Sequence, residues 1–143
     1  MPTIRPMQAH GRGWLAYGLG AGAVAWALLL IVAAFFYPAY SGLECGTTGT
    51  CMRTSSTLFA KNGWWVVELL AAVALVTVLA FYALHVVCAK GSNTAAGVAT
   101  GCIVALLLFS FVTGFSIGLF VFPVAVLLAA SAWLIPEGQR LRP

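Results

Sequence analysis

The apolar positions of this chain fall into long uncharged runs separated by short polar stretches. The longest extends from Ala95 to Pro136 without a charged side chain and is interrupted only by Gly114-Phe115-Ser116-Ile117-Gly118. One membrane-crossing helix needs about 20 consecutive apolar residues, so this run predicts a transmembrane hairpin with spans over 95–113 and about 117–135. Pro123 falls in the early turns of the second, and Pro136 ends it. Two earlier runs, 14–37 and 64–88, are each long enough to cross a bilayer and each is flanked by polar residues, which adds two spans. The predicted fold class is therefore all-α integral membrane: a four-transmembrane-helix bundle, with residues 1–143 forming a single membrane domain.

The polar stretches set the orientation. Arg5, Arg12, Lys90, Arg140 and Arg142 lie on one side of these spans, Arg53 and Lys61 on the other. The positive-inside bias then places both the N and C termini in the cytoplasm and the loop 38–63 outside. A charged start before an apolar run has the outline of a signal peptide, but 14–37 far exceeds the roughly 7 to 15 residues of a cleavable core, which predicts an uncleaved anchor. Trp14, Tyr17, Tyr37 and Tyr40 mark interfacial belts for the first span, Trp64 and Trp65 for the second and Trp133 for the fourth. Between spans two and three, Lys90-Gly91 has the form of a helix C-terminus, and Ser92, Asn93 and Thr94 offer N-caps. That turn is short, which makes the two helices antiparallel neighbours.

Composition narrows the class of function. The chain is 62% hydrophobic and 7% charged, against about a quarter charged in soluble proteins. Once four spans are set aside, only 38–63 can hold extramembrane structure, which leaves no room for a soluble catalytic domain. The net charge of +4 sits beside the spans, where it addresses anionic lipid rather than nucleic acid. The expected partners are the lipid bilayer and, beyond it, other membrane proteins or further copies of the chain. Heavy use of Ala, Gly and Val, with Arg exceeding Lys, predicts a bacterial source and a plasma-membrane location.

Candidate chemistry is sparse. Cys45 and Cys51 lie in Cys-Gly-Thr-Thr-Gly-Thr-Cys, whose two glycines let the chain turn back. In an outside loop they predict a structural disulfide, with a redox-active or metal-binding pair as the alternative. Glu68 is the acid inside a span, and intramembrane acids are functional candidates by default. It falls one turn below Trp64, about 6 Å into the helix, and its stripe of Ala71, Ala72, Val76 and Ala80 is small. The expectation is an inward carboxylate, hydrogen-bonded to Ser110, Thr113 or Ser116 at the same level, or paired with Arg53 or Lys61. His85 and Cys88, at the opposite end of that helix, are about 25 Å from Glu68; they and Cys102 read as an interfacial histidine and buried free thiols.

No cofactor or metal site is predicted, because a Cys-Cys-His set would lack a fourth ligand. The chain contains no Asp, so no Ser-His-Asp triad can form. Gly18-Leu19-Gly20-Ala21-Gly22 has no preceding strand and so is no phosphate loop. Gly18 with Gly22, and Gly97 with Gly101, are small-xxx-small elements expected to bring backbones close within the bundle or against a partner, while Gly114 and Gly118 serve the outer turn.

These features favour a non-enzymatic accessory or scaffold subunit of a membrane complex. Three alternatives remain: a small oligomeric transporter or channel with Glu68 as coupling residue, a membrane thiol-redox protein using Cys45 and Cys51, and an immunity or lysis protein.

Overall fold

The computed structural model describes residues 7–45, 51–114 and 117–135. Its elements, in chain order, are helix α1 (Met7–Phe36), strands β1 (Tyr40–Cys45) and β2 (Cys51–Ser56), the short helix α2 (Leu58–Asn62), and helices α3 (Trp64–Lys90), α4 (Asn93–Thr113) and α5 (Ile117–Leu134). Among the described residues, four segments are long and apolar enough to span a membrane: Gly13–Phe36, Trp64–Lys90, Asn93–Thr113 and Ile117–Leu134. They coincide with the four predicted spans to within a turn.

The long helices form a ring in which α1 packs on α3 and α5, and α4 packs on the same two, so that α1 and α4 occupy opposite corners. All neighbours run antiparallel. Ser131, late in α5, bonds the carbonyl of Ala16, early in α1, and Tyr17 of α1 lies against Phe81 of α3 with ring centroids 5.2 Å apart. One end of the bundle therefore carries the starts of α1 and α4 and the ends of α3 and α5. The other carries the β-strands and α2, and is called the hairpin end below.

Small residues make this packing close. Among the described residues the buried positions of α1 are Ala16, Gly20, Ala23, Ala27 and Ala34; Ala23 and Ala27 share a core with Val121, Val124, Ala125 and Leu128 of α5 and Val73, Ala74, Ala80, Ala83 and Leu84 of α3, and Ala34 clusters with Val66 and Leu70 of α3. Between membrane helices the attraction is mainly van der Waals contact, which alanine stripes maximise by letting backbones approach. Outside the ring stand Leu15, Leu28, Leu29, Val32, Leu75, Leu79, Leu108, Phe111, Val112, Leu119, Phe122 and Val126, all exposed. An exterior as apolar as the interior suits acyl chains and not water.

The ends follow from local sequence. Gly91 takes the left-handed conformation (φ 65°) and its N–H caps the Val87 carbonyl, while the Ser92 hydroxyl accepts from Ala95 N at 3.4 Å to start α4. At the far turn Gly114 (φ 53°) closes α4 on the Ser110 carbonyl. Gly118 is required by space: a Cβ there would collide with the Ser110 carbonyl oxygen and lie 2.6 Å from Thr113 Oγ1. Pro123 within α5 leaves the Leu119 carbonyl without its usual amide. The next carbonyl, of Phe120, accepts the Trp26 indole N–H from α1 at 3.1 Å, which ties α1 to α5 in the turn before the proline.

Candidate functional site at the hairpin end of the bundle

The predicted outer loop is an antiparallel hairpin followed by a one-turn helix. Tyr40 pairs with Ser56 at its base and Cys45 with Cys51 at its tip, and Leu43 stands opposite Arg53 between them. Tyr40 and Thr54 favour strands, and the Gly-rich segment between the cysteines favours reversal. The two cysteines are a directly opposed pair joined by a disulfide, so the bridge locks a register that a lone two-stranded ribbon would hold only marginally.

Nothing covers the ribbon. Every described side chain from Tyr40 to Ser55 is exposed, including Leu43 at 72% and Met52 at 75%. Successive residues alternate faces, so Leu43 and Met52 point to opposite sides.

The base of the hairpin is anchored. Thr57 caps α2 by accepting from Ala60 N, and Asn62 Nδ2 donates to both the Tyr40 hydroxyl (3.3 Å) and the Leu58 carbonyl (3.1 Å). Phe59 lies between Phe35 of α1 and Trp64 of α3, with centroid separations of 4.9 and 5.4 Å. The short helix is thereby wedged between α1 and α3 and ties the ribbon to them.

Glu68 does not take its expected place. It is exposed and makes no hydrogen bond or ion pair among the described residues. Helical phase explains this: α3 buries Val66, Leu70, Val73 and Ala74, and Glu68 stands 200° from both Val66 and Leu70 at 100° per residue. Ala71 and Ala72, expected inside with it, are exposed too. The larger aliphatic side chains won the core at this end and turned the acid and the alanines outward.

The hydroxyls expected around Glu68 serve the backbone. Ser110 Oγ donates to the Gly118 carbonyl at 2.6 Å, joining α4 to α5, and Thr113 Oγ1 donates to Phe109 O at 2.7 Å. Ser116 lies outside the described residues, as do Arg5, Arg140 and Arg142. Thr77 donates to Val73 O and Ser131 to Ala16 O. Among the described residues, every buried side-chain nitrogen or oxygen has a hydrogen-bond partner.

The glycine pairs need a similar correction. Gly18, Gly22, Gly97 and Gly101 face away from the bundle, with open space where a Cβ would stand, so within one chain none of them is a packing contact. The close approach on α1 is made by Gly20, where a Cβ would lie 2.5 Å from the Phe81 ring. Gly20 continues the small-residue spacing of Ala16, Ala23 and Ala27, and that spacing was its signal. Cys88, expected to be buried, is exposed, while Cys102 is half-buried. Cys88 shares a cleft at the end of the bundle opposite the hairpin with Tyr17, His85 and Ser131, and the Tyr17 and His85 rings are 6.5 Å apart.

Two features have no counterpart in the sequence reading: the Trp26 bond to the Phe120 carbonyl, in the turn before Pro123, and an apolar groove of ≈ 310 Å³ where α1 and α5 meet beneath the hairpin. The fold and this end define a class, a bundle of four helices long and apolar enough to span a membrane, bearing a disulfide-closed ribbon at one end. No family model, curated protein or solved structure matches the chain.

Proposed function

We propose that this protein is a non-enzymatic accessory or scaffold subunit of a plasma-membrane complex, with both termini cytoplasmic, and that the hairpin is the surface it offers to its partner. The observation that carries this reading is the ribbon itself: anchored at its base, closed by a disulfide at its tip, and bearing large apolar side chains uncovered on both faces. Ordered, exposed apolar groups on an extramembrane element suit recognition better than they suit water. The interior supports the reading too, since Thr77, Ser110 and Ser131 are engaged in holding backbone. The orientation rests on the Lys and Arg bias alone. The transporter alternative needs Glu68 to face an axis between associated copies, because within one bundle it points outward.

Purification in mild detergent, with identification of co-purifying proteins, tests the proposal when run beside a variant whose residues 41–55 are replaced by a Gly/Ser linker of equal length. The expected result is a stable complex with a different, larger membrane protein, lost in the variant while the helices stay folded. A pure homo-oligomer that the replacement leaves intact would defeat the proposal and favour transport. Cysteine-accessibility labelling from outside should reach positions in 47–61 and miss Arg5 and Arg140; the reverse pattern would overturn the orientation.

A further inference from the structure

The groove at the hairpin end is built for an amphiphile. Its walls are Leu30 and Ala33 of α1 and Ile117 and Phe120 of α5, and Leu58 of α2 and Tyr40 of β1 stand at its mouth. The alanine on α1 leaves the space, and the volume of ≈ 310 Å³ is at the lower end of ligand clefts, about 300 to 1,000 Å³. From Tyr37 to Leu30 it descends seven residues, about 10 Å at 1.5 Å per residue, into a hydrocarbon core about 30 Å thick. An apolar groove at that depth suits an acyl chain better than water, which would find almost no hydrogen-bond partners there.

Its mouth has the opposite character. The Tyr40 hydroxyl accepts from Asn62, and Lys61, beside Asn62, lies three residues from Leu58 and is therefore its neighbour on the surface of α2. Lys61 is exposed and forms no ion pair among the described residues. Glu68 cannot neutralise the groove from α3, since it points away from the face on which Leu70 closes the floor. Next to the apolar slot, then, stand the Tyr37 and Tyr40 rings of its lining and, one turn from Leu58 on α2, a cation without an ion pair among the described residues.

We infer that this groove binds one membrane phospholipid with an anionic headgroup, its acyl chain lying along Ala33 between α1 and α5 and its phosphate at Lys61. The complementarity of charge at the mouth selects the headgroup, and the slot holds the chain. Such a lipid would fill the seam under the hairpin and hold α2 against α1.

Native mass spectrometry of the full chain, taken from nanodiscs of equal phosphatidylglycerol and phosphatidylcholine, tests this. The wild type should retain one phospholipid per chain, with about a five-fold preference for phosphatidylglycerol, the ratio that corresponds to roughly 1 kcal/mol for one Lys at an anionic headgroup. Ala33→Phe, which fills the slot, should lower retention of both lipids about ten-fold or more, as expected when a phenyl ring takes the place of a bound chain. Lys61→Gln should keep retention but bring the two lipids to parity. Undiminished retention in folded Ala33→Phe, or a preference that survives Lys61→Gln, would overturn the inference. If Ala33→Phe fails to fold, the Lys61→Gln ratio decides alone.

Discussion

The bundle and the hairpin solve the problem of being ordered in opposite ways. In the bundle, contact does the work: alanines on α1 meet Val121, Val124 and Leu128 of α5, and the buried hydroxyls are bonded to carbonyls. In the hairpin almost nothing is buried, and order comes from a disulfide at one end and the Tyr40–Asn62 bond at the other. An element held by its two ends leaves its faces unused. The bundle has used its interior, whereas the ribbon has kept its side chains free, and that is why the proposed recognition surface lies there.

Gly118→Ala should have the largest effect on the bundle, because the added methyl would meet backbone that cannot move aside. A loss of about 2 to 3 kcal/mol, within the range for overpacking, is expected in detergent unfolding. Gly20→Ala should cost less, about 1 kcal/mol, since the obstacle is the Phe81 ring, which can turn. A neutral Gly118→Ala would mean that α4 and α5 are further apart at this turn than described.

The outward glycines should change sign. Gly18→Ala, Gly22→Ala, Gly97→Ala and Gly101→Ala meet nothing, so each should stabilise the isolated chain by up to about 1 kcal/mol through helix propensity. If instead any of them weakens an assembly seen in mild detergent, that stripe is where a partner helix packs.

Ser131→Ala removes the bond from α5 to the Ala16 carbonyl and should cost about 0.6 kcal/mol, the usual worth of such bonds between membrane helices. Smallest of all, Glu68→Gln should shift stability by less than about 0.5 kcal/mol, as for exposed sites without partners. If that variant folds normally yet abolishes a proton-coupled flux in vesicles, the transporter reading displaces the accessory one.

The four long apolar helices were legible because length and apolarity, the two properties that suit a helix to a bilayer, are written into each segment separately. So were the Gly91-Ser92 turn and the cysteine pairing, which depend on neighbours in sequence. What faced where was less legible. Four helices that are apolar all round carry no amphipathic stripe to fix their rotation, so the sequence alone points Glu68 inward and does not single out Gly20 from Gly18. Rotation is set by the fit of Ala16, Gly20, Ala23 and Ala27 against α3 and α5, a property of pairs of helices. The ribbon went unread because a short loop rich in Ser, Thr and Gly resembles any other until its cysteines are known to face each other across a register.

The independence of the two regions is tested most directly by hydrogen exchange on the intact chain in mild detergent, with and without a reductant that opens the Cys45–Cys51 bridge. The account predicts faster exchange across residues 41–55 on reduction and unchanged, slow exchange through α1, α3, α4 and α5. Loss of protection spreading into α1 or α3 would contradict it, because the ribbon would then be part of what holds the bundle together.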